Sequence, residues 1–261
     1  MFSVIIPTYN NEDTIAEAIH SVLNQSAYNL IEEILVIDDG STDNTSYVVK
    51  KIERNNKKIR YIYKDNGGAA SARNLGINEA KADWIALLDG DDIWLSNKIE
   101  RQWEVLNENK NIVFLGSQYP LKILLKEYHG LVKLTAKQLC IRSIPYTPSV
   151  VFKKNVGEKY GFFNESMQYC EDSNFFQKFL LEDSYYVLGE DLIKIDIGKS
   201  YFGEKGLSSH FHEMYEGKIV NMKEMYNYGL INKLWLDLMI ILCKIKEARR
   251  IIQRKVRSIK Y

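Results

Sequence analysis

Asp89, Asp91 and Asp92 close the apolar run "WIALLDGDDIW" at 84–94. Carboxylates this crowded repel one another, and burying them unpaired costs several kcal/mol. A divalent cation relieves that repulsion. Two oxygen ligands one residue apart suit a hard ion that keeps its other positions for water and phosphate. A second acidic pair, Asp38 and Asp39, lies in "VIDDGSTDNT" at 36–45. Turn and helix-cap chemistry accounts for Gly40, Ser41 and Thr42, but not for two adjacent carboxylates. A carboxylate there can accept a hydrogen bond from a base N–H or a ribose hydroxyl. A third pair, Glu171 and Asp172, opens "EDSNFFQKFLLE" at 171–182. Acids favour the positive end of a helix, so the pair on its own reads as a helix start.

Other metal and nucleotide patterns drop out. With Asp89 as first ligand of an EF-hand, Glu100 takes the twelfth place, but Trp94 stands where glycine is needed. No GxxxxGK[ST] occurs. "PTYNNEDT" is not the glycine-rich basic loop that a sugar nucleotidyltransferase needs after its first strand.

The elements that must position these acids alternate. "FSVIIP" (2–7), "EILVID" (33–38), "IRYIY" (59–63), "DWIALLD" (83–89) and "NIVFLG" (111–116) read as strands. Helices are expected from Ile15 with Asn11 as N-cap, through Val48, Val49 and Ile52, across 67–80, and from Ser96 with Ile99, Trp103 and Leu106 on one face. The alternation predicts an α/β fold with a mostly parallel sheet covered on both faces. Ligands on such sheets bind at the carboxyl ends of the strands, where Asp38, Asp39, Asp89 and Asp91 stand. Further on, "TPSVVFKK" (147–154) reads as a strand, 171–182 as a helix, and "YYVLG" and "LIKIDI" as short strands. "KILLKEYHGLVKL" (122–134) fits a hairpin or a helix and turn equally. From Lys233 onward, Leu234, Leu238, Ile241, Ile245, Ala248, Ile252 and Val256 keep helical spacing.

Bulk properties narrow the class. The 261 residues are 46% hydrophobic, enough for a large core, and the net charge of +1 gives no strong field toward nucleic acid. Three scattered cysteines without CxxC spacing argue against a disulfide framework or zinc site and fit a reducing cytosol. "MFSVIIPTYN" lacks signal-peptide character. "LWLDLMIILC" (234–243) is too short to span a bilayer and contains Asp237.

"SVIIPTYNNEDTIAEAIHSVLNQS", "EILVIDDGSTDNT", "GGAASARNLGINEAKADWIALLDGDDIW" and "EDSNFFQKF" occur in the order found in family 2 glycosyltransferases of the GT-A fold, which this chain resembles. The resemblance is dense from residue 2 to about 106 and thinner to about 210. It implies a Rossmann-like nucleotide-binding half (1–116), an irregular acceptor half (117–215), and beyond them a basic helical extension (216–261). It further implies inverting transfer from a nucleotide-diphosphate sugar, with UDP-sugars first among donors, to a saccharide or lipid-linked saccharide hydroxyl. Cell-surface polysaccharide or lipopolysaccharide assembly is the setting such relatives share. The alternative is a non-catalytic nucleotide-sugar-binding subunit.

By the resemblance, Pro7 and Tyr9 help form the nucleotide pocket and Asp39 contacts the base. Asp91 is the principal Mn²⁺ or Mg²⁺ ligand, and Asp89 lies beside it, nearer the ribose or sugar. Arg73 borders the nucleotide-sugar; an ion pair with a nearby acid explains it equally well. Asp172 is the implied catalytic base and Glu171 orients the acceptor. "YFGEKGLSSHFH" (201–212) resembles a loop that closes over the diphosphate, where His210 or His212 would bind metal or simply lie on the surface. No QxxRW motif is present, which implies non-processive transfer. The basic last helix fits an anionic membrane surface, a core-docked helix or an oligomer contact. The expected location is cytoplasmic, peripheral at the membrane if that helix binds lipid.

Overall fold

The computed structural model describes residues 1–118, 129–142, 145–194 and 210–258, with side chains through 250. Every residue of the first strand, β1 (Phe2–Thr8), is buried. In chain order follow α1 (Ile15–Leu23), β2 (Ile31–Asp38), α2 (Thr45–Glu53), β3 (Ile59–Tyr63), α3 (Gly68–Glu79) and β4 (Trp84–Leu87). Next come β5 (Ile93–Trp94), α4 (Lys98–Glu108), β6 (Phe114–Gln118), β7 (Leu131–Lys133), α5 (Ala136–Ile141), β8 (Val151–Lys153) and α6 (Lys154–Tyr160). The remainder is α7 (Glu171–Phe176), β9 (Tyr186–Asp191), β10 (Ile193–Lys194), α8 (Phe211–Asn227) and α9 (Lys233–Ser258).

Among the described residues the main sheet runs β3-β2-β1-β4-β8-β6-β9-β7, and β10 pairs with β5. The strands β3, β2, β1 and β4 are mutually parallel, as are β6 and β9; β8 runs antiparallel to β4 and β6. Burial on both faces explains the unbroken apolar runs, because adjacent residues of a strand point to opposite sides. Val4, Ile6, Val36 and Leu88 meet Ile15, Ile19, Val49 and Ile99 of the helices on one face. Ile5, Ile37, Leu87 and Phe152 meet Ala72 and Ile77 of α3 and Phe175 and Phe176 of α7 on the other. At Gly76 an added Cβ would stand 2.5 Å from the Ile5 side chain, so glycine lets α3 lie directly on β1.

The fold is the expected α/β one, with several boundaries moved. Thr14, not Asn11, precedes α1; the Asn11 carbonyl instead accepts from the Thr14 and Ile15 amides. The strand expected at 147–154 opens with a 3₁₀ turn, Thr147–Ser149, and Pro148, which lacks an amide proton, suits that turn. The helix expected at 171–182 is α for one turn and a half, then 3₁₀ over Gln177–Glu182. The strand expected at 111–116 runs from Phe114 to Gln118. Residues 122–128, 195–197 and 201–209, within three of the expected segments, lie outside the described residues. Position 215, the expected edge of the acceptor half, falls inside α8.

Candidate active site

Three loops meet at the carboxyl ends of β1, β2 and β4. The β1–β4 ladder continues past the strands, with the Leu88 amide on the Ile5 carbonyl at 3.1 Å and the Gly90 amide on the Pro7 carbonyl at 3.2 Å. That places the acidic 89–92 loop directly beside Pro7 and Tyr9. The loop after β1 is laced to the one after β2. Asn10, at a left-handed φ of 52°, takes the Thr42 amide on Oδ1 at 2.8 Å and donates its own amide to Ser41 Oγ at 2.9 Å. Left-handed backbone in a non-glycine residue costs energy and persists where surroundings enforce it. Gly40, at φ +83°, makes the turn between them; a Cβ there would reach 2.9 Å from the Asn66 amide.

The acids after β2 are held entirely by the protein. Asp38 Oδ1 accepts from the Ser41 amide at 2.8 Å, and Oδ2 accepts from the Tyr61 hydroxyl at 2.6 Å. Asp39 Oδ1 accepts from Lys64 Nζ at 2.6 Å and the Gly67 amide at 2.9 Å; its Oδ2 accepts from the Gly68 amide at 2.7 Å. Asp39 thus caps the N-terminus of α3, whose amides would otherwise lack partners. Three donors occupy a group that accepts about four.

The acids after β4 are arranged differently. Asp89 is fixed by a buried cation: Arg73 Nη2 donates to Asp89 Oδ1 at 2.8 Å, and Arg73 Nη1 to Glu171 Oε1 at 2.9 Å. Arg73 is 6% exposed, and its Nε has no protein partner. Burial disfavours the guanidinium charge, but Asp89, Glu171 and Asp172 more than offset this and hold its pKa above the usual value. One side chain therefore joins the acidic loop to the start of α7. Asp172 Oδ1 accepts from the Ser173 amide at 2.6 Å, and Oδ2 from Thr147 Oγ1 at 3.3 Å. Burial, then the Asp172 charge, raise the Glu171 carboxyl above its usual range, while Arg73 opposes them.

α7 is firmly seated. Phe175 lies 4.5 Å from Phe163 and 5.2 Å from Phe152, ring centre to ring centre. Asn174 Nδ2 donates to Asn221 Oδ1 at 2.9 Å and Glu224 Oε2 at 2.6 Å on α8. Cys170, the residue before the acids, has a left-handed φ of 59°, and Asn221 Nδ2 donates to its carbonyl at 3.0 Å.

Sequence patterns gave no sign of Tyr146. Burial of its hydroxyl end first, then the charges of Asp92, Asp89, Asp172 and Asp91, push its phenol up to about 12, although the residue as a whole is 46% exposed. Its segment is pinned from the loop side: Trp94 Nε1 donates to the Pro148 carbonyl at 2.7 Å and Gln102 Nε2 to the Ser149 carbonyl at 2.8 Å. Beneath them Lys98 is fully buried, its Nζ 2.7 Å from Gln102 Oε1 and 4.1 Å from the Trp94 ring centre. The clue available in sequence was topological, since a turn at the sheet's carboxyl edge faces any ligand bound there.

Tyr9 is half exposed at the rim. His210 and His212 lie on the surface, and His212 Nδ1 stands 2.5 Å from Glu247 Oε1 of α9. Among the described residues no three His, Cys, Asp or Glu side chains converge as a ligand set. Two carboxylates, Asp89 and Asp91, fit the hard-ion pattern in which one or two protein carboxylates share the ion with water and substrate phosphates.

A strand-end acid pair beside a helix-start acid pair is the arrangement expected from the sequence motifs, and the chain is similar to known proteins over much of its length. An uncharacterized glycosyltransferase of Rickettsia typhi is 35% identical over 214 residues, covering 74% of this chain and 63% of that protein. The E. coli UDP-Glc:alpha-D-GlcNAc-diphosphoundecaprenol beta-1,3-glucosyltransferase WfgD is 41% identical over 122 residues, 46% of each chain. The chain thus spans under two thirds of the length of these relatives. The crystal structure of S. aureus TarS residues 1–349 in complex with UDP-GlcNAc superposes with a TM-score of 0.70 over 92% of this chain and 70% of that one, at 21% identity, which establishes the shared fold. The model of the family described as "Glycosyl transferase family 2" matches residues 3–158, and the chain belongs to that family.

Proposed function

We propose that the chain transfers a sugar, with inversion, from a nucleotide-diphosphate donor to a hydroxyl acceptor in cell-surface polysaccharide assembly, one unit at a time. The observation that carries this is the joining of the acidic loop and the Glu171–Asp172 pair through buried Arg73. Donor-side and acceptor-side carboxylates are thereby fixed relative to each other, as attack on an anomeric carbon requires. UDP is the favoured nucleotide, because WfgD is named for UDP-Glc and the TarS crystal holds UDP-GlcNAc. The diphosphoundecaprenol in the WfgD name supports a lipid-linked acceptor here.

Tyr9 and Asp39 hold the nucleoside, Asp39 through the accepting position that Lys64, Gly67 and Gly68 leave to it. Asp91, with Asp89, holds Mn²⁺ or Mg²⁺. There the ion would supply positive charge against the leaving diphosphate. Asp172 accepts the proton of the attacking hydroxyl, its carboxylate oriented by Thr147 and the Ser173 amide. Glu171, held by Arg73, orients the acceptor.

A thermal-shift panel of UDP, GDP and dTDP, each with and without Mn²⁺, tests this directly. Ligand at about a hundred times its Kd stabilises a fold by about 2.7 kcal/mol, a readable shift. The expected result is a shift with UDP that needs Mn²⁺. A shift with none of the nucleotides would overturn the donor assignment. Binding without turnover on any lipid-linked saccharide would make the chain a binding subunit instead.

A further inference from the structure

Helix α9 has two apolar faces, and the described residues cover one of them. Leu236, Met239 and Cys243 are buried in the core cluster with Met222 and Met225 of α8. Arg250 lies over the Phe211 ring at 4.7 Å, and Glu247 meets His212, fastening α9 along that same side. On the other side Leu234, Leu238, Ile241 and Ile245 recur at helical spacing and remain 79, 44, 55 and 58% exposed, with Leu242 beside them at 38%. At about 100° per residue these four share a sector about 60° wide. Asp237, paired with Lys233 at 2.9 Å, and then Lys244 border it on one side and Arg249 on the other, with Lys246 next to Arg249, and all three of the bordering cations are exposed. The sequence beyond adds Arg254, Lys255, Arg257 and Lys260, with no acid after Glu247.

We propose that this stripe seats the chain on an anionic lipid surface. The aliphatic side chains enter the headgroup boundary, and the bordering cations, extended on their apolar stems, meet lipid phosphates. Charge selects this occupant over a second copy of the chain. Two α9 stripes facing each other in parallel would set Lys244 and Arg249 against their own counterparts. A stable dimer also buries about 800 Å² on each partner, more than five partly exposed aliphatic side chains supply. No described helix is long and apolar enough to cross a membrane, so the contact lies in the interface. The proposal stands apart from sugar transfer, because its test reads lipid binding without turnover.

The test is flotation of the full chain with vesicles of mixed phosphatidylglycerol and phosphatidylcholine, against vesicles of phosphatidylcholine alone. Protein should float with the anionic vesicles and be released by salt at ~1 M, where the screening length falls to ~3 Å. Leu238→Glu with Ile241→Glu should cut the bound fraction at least ~10-fold at an unchanged melting temperature, since charge on the stripe opposes insertion. Lys244→Gln with Arg249→Gln should weaken binding to anionic vesicles alone, by ~10-fold or more. Absence of flotation, or flotation that survives both double substitutions, overturns the proposal. A dimer seen by sedimentation equilibrium, dissolved by Leu238→Glu with Ile241→Glu and indifferent to lipid, would overturn it in favour of a second copy.

Discussion

Two parallel strand ends that flank β1 carry nearly the same letters, "DD" at the end of β2 and "DGDD" after β4, and the protein treats them in different ways. After β2, Asp38 and Asp39 accept five hydrogen bonds from Ser41, Tyr61, Lys64, Gly67 and Gly68. These acids hold the turn and start α3. After β4, Asp89 is tied through buried Arg73 to Glu171, and the charges of Asp89, Asp91 and Asp92 act on Tyr146 together with that of Asp172. Donors of its own turn and of the start of α3 fix the first pair, whereas Arg73 ties Asp89 of the second to the start of α7. The same letters thus serve a locally built turn at one strand end and a long-range junction at the other.

The largest expected effect lies across from both strand ends. Asp172→Asn removes the proton acceptor but keeps shape and the Thr147 contact. Turnover should fall about 10²–10⁴-fold, the usual contribution of general-base catalysis, with UDP affinity little changed. Single-turnover kinetics beside calorimetry would show this, and near-normal transfer would remove Asp172 from its assigned role.

Next comes the cation that joins the two acidic regions. Arg73→Met leaves Asp89 and Glu171 facing each other without it. Breaking a buried pair costs about 3–5 kcal/mol, and the lower end applies because the Asp89 side chain is 26% exposed. Urea denaturation measures the loss. A double-mutant cycle with Glu171→Gln should recover part of it, whereas strict additivity would mean that the pair is not coupled.

Asp39→Ala and Asp91→Ala then test the contrast itself. Asp39→Ala strands the Gly67 and Gly68 amides, at about 1–3 kcal/mol of stability, and, by removing the proposed nucleoside contact, should weaken UDP binding with or without Mn²⁺. Asp91→Ala removes the proposed metal ligand, so Mn²⁺-dependent stabilisation by UDP should be lost. Undiminished stability in Asp39→Ala, or retained Mn²⁺ dependence in Asp91→Ala, would break the contrast.

Much of the first half was legible because both faces of its strands are buried. "IRYIY" is β3 to the residue, and "FSVIIP" extends by only Thr8. The second half was harder, since short strands and 3₁₀ turns have no period to count. Helix α9 shows a different limit. The spacing of Leu234, Leu238, Ile241 and Ile245 identifies the helix, yet those residues face outward, and Leu236, Met239 and Cys243 dock. Periodicity finds an apolar face but does not choose between two. At the site, Asp39, Asp89, Asp91 and Asp172 were readable as acids at element ends. The Arg73–Glu171 pair spans 98 positions, and Tyr146 belongs to no motif, so only the folded sheet edge brings them in.

The smallest effect is a pH dependence on the acceptor side of that edge. Burial and the Asp172 charge raise Glu171 above the unfolded carboxylate range, with Arg73 opposing. The folded protein therefore favours the protonated acid. The stability linked to this group is fully present below the unfolded pKa of about 4.3 and is lost as pH rises through the raised folded value. Glu171→Gln cannot ionise, so the difference between wild type and variant in urea midpoint should shift against wild type across that window. Adding Asp172→Asn to both proteins removes one cause of the shift and should narrow the window from above. A difference that stays flat with pH would mean that Arg73 fully balances burial and Asp172, leaving Glu171 ionised at the donor–acceptor junction.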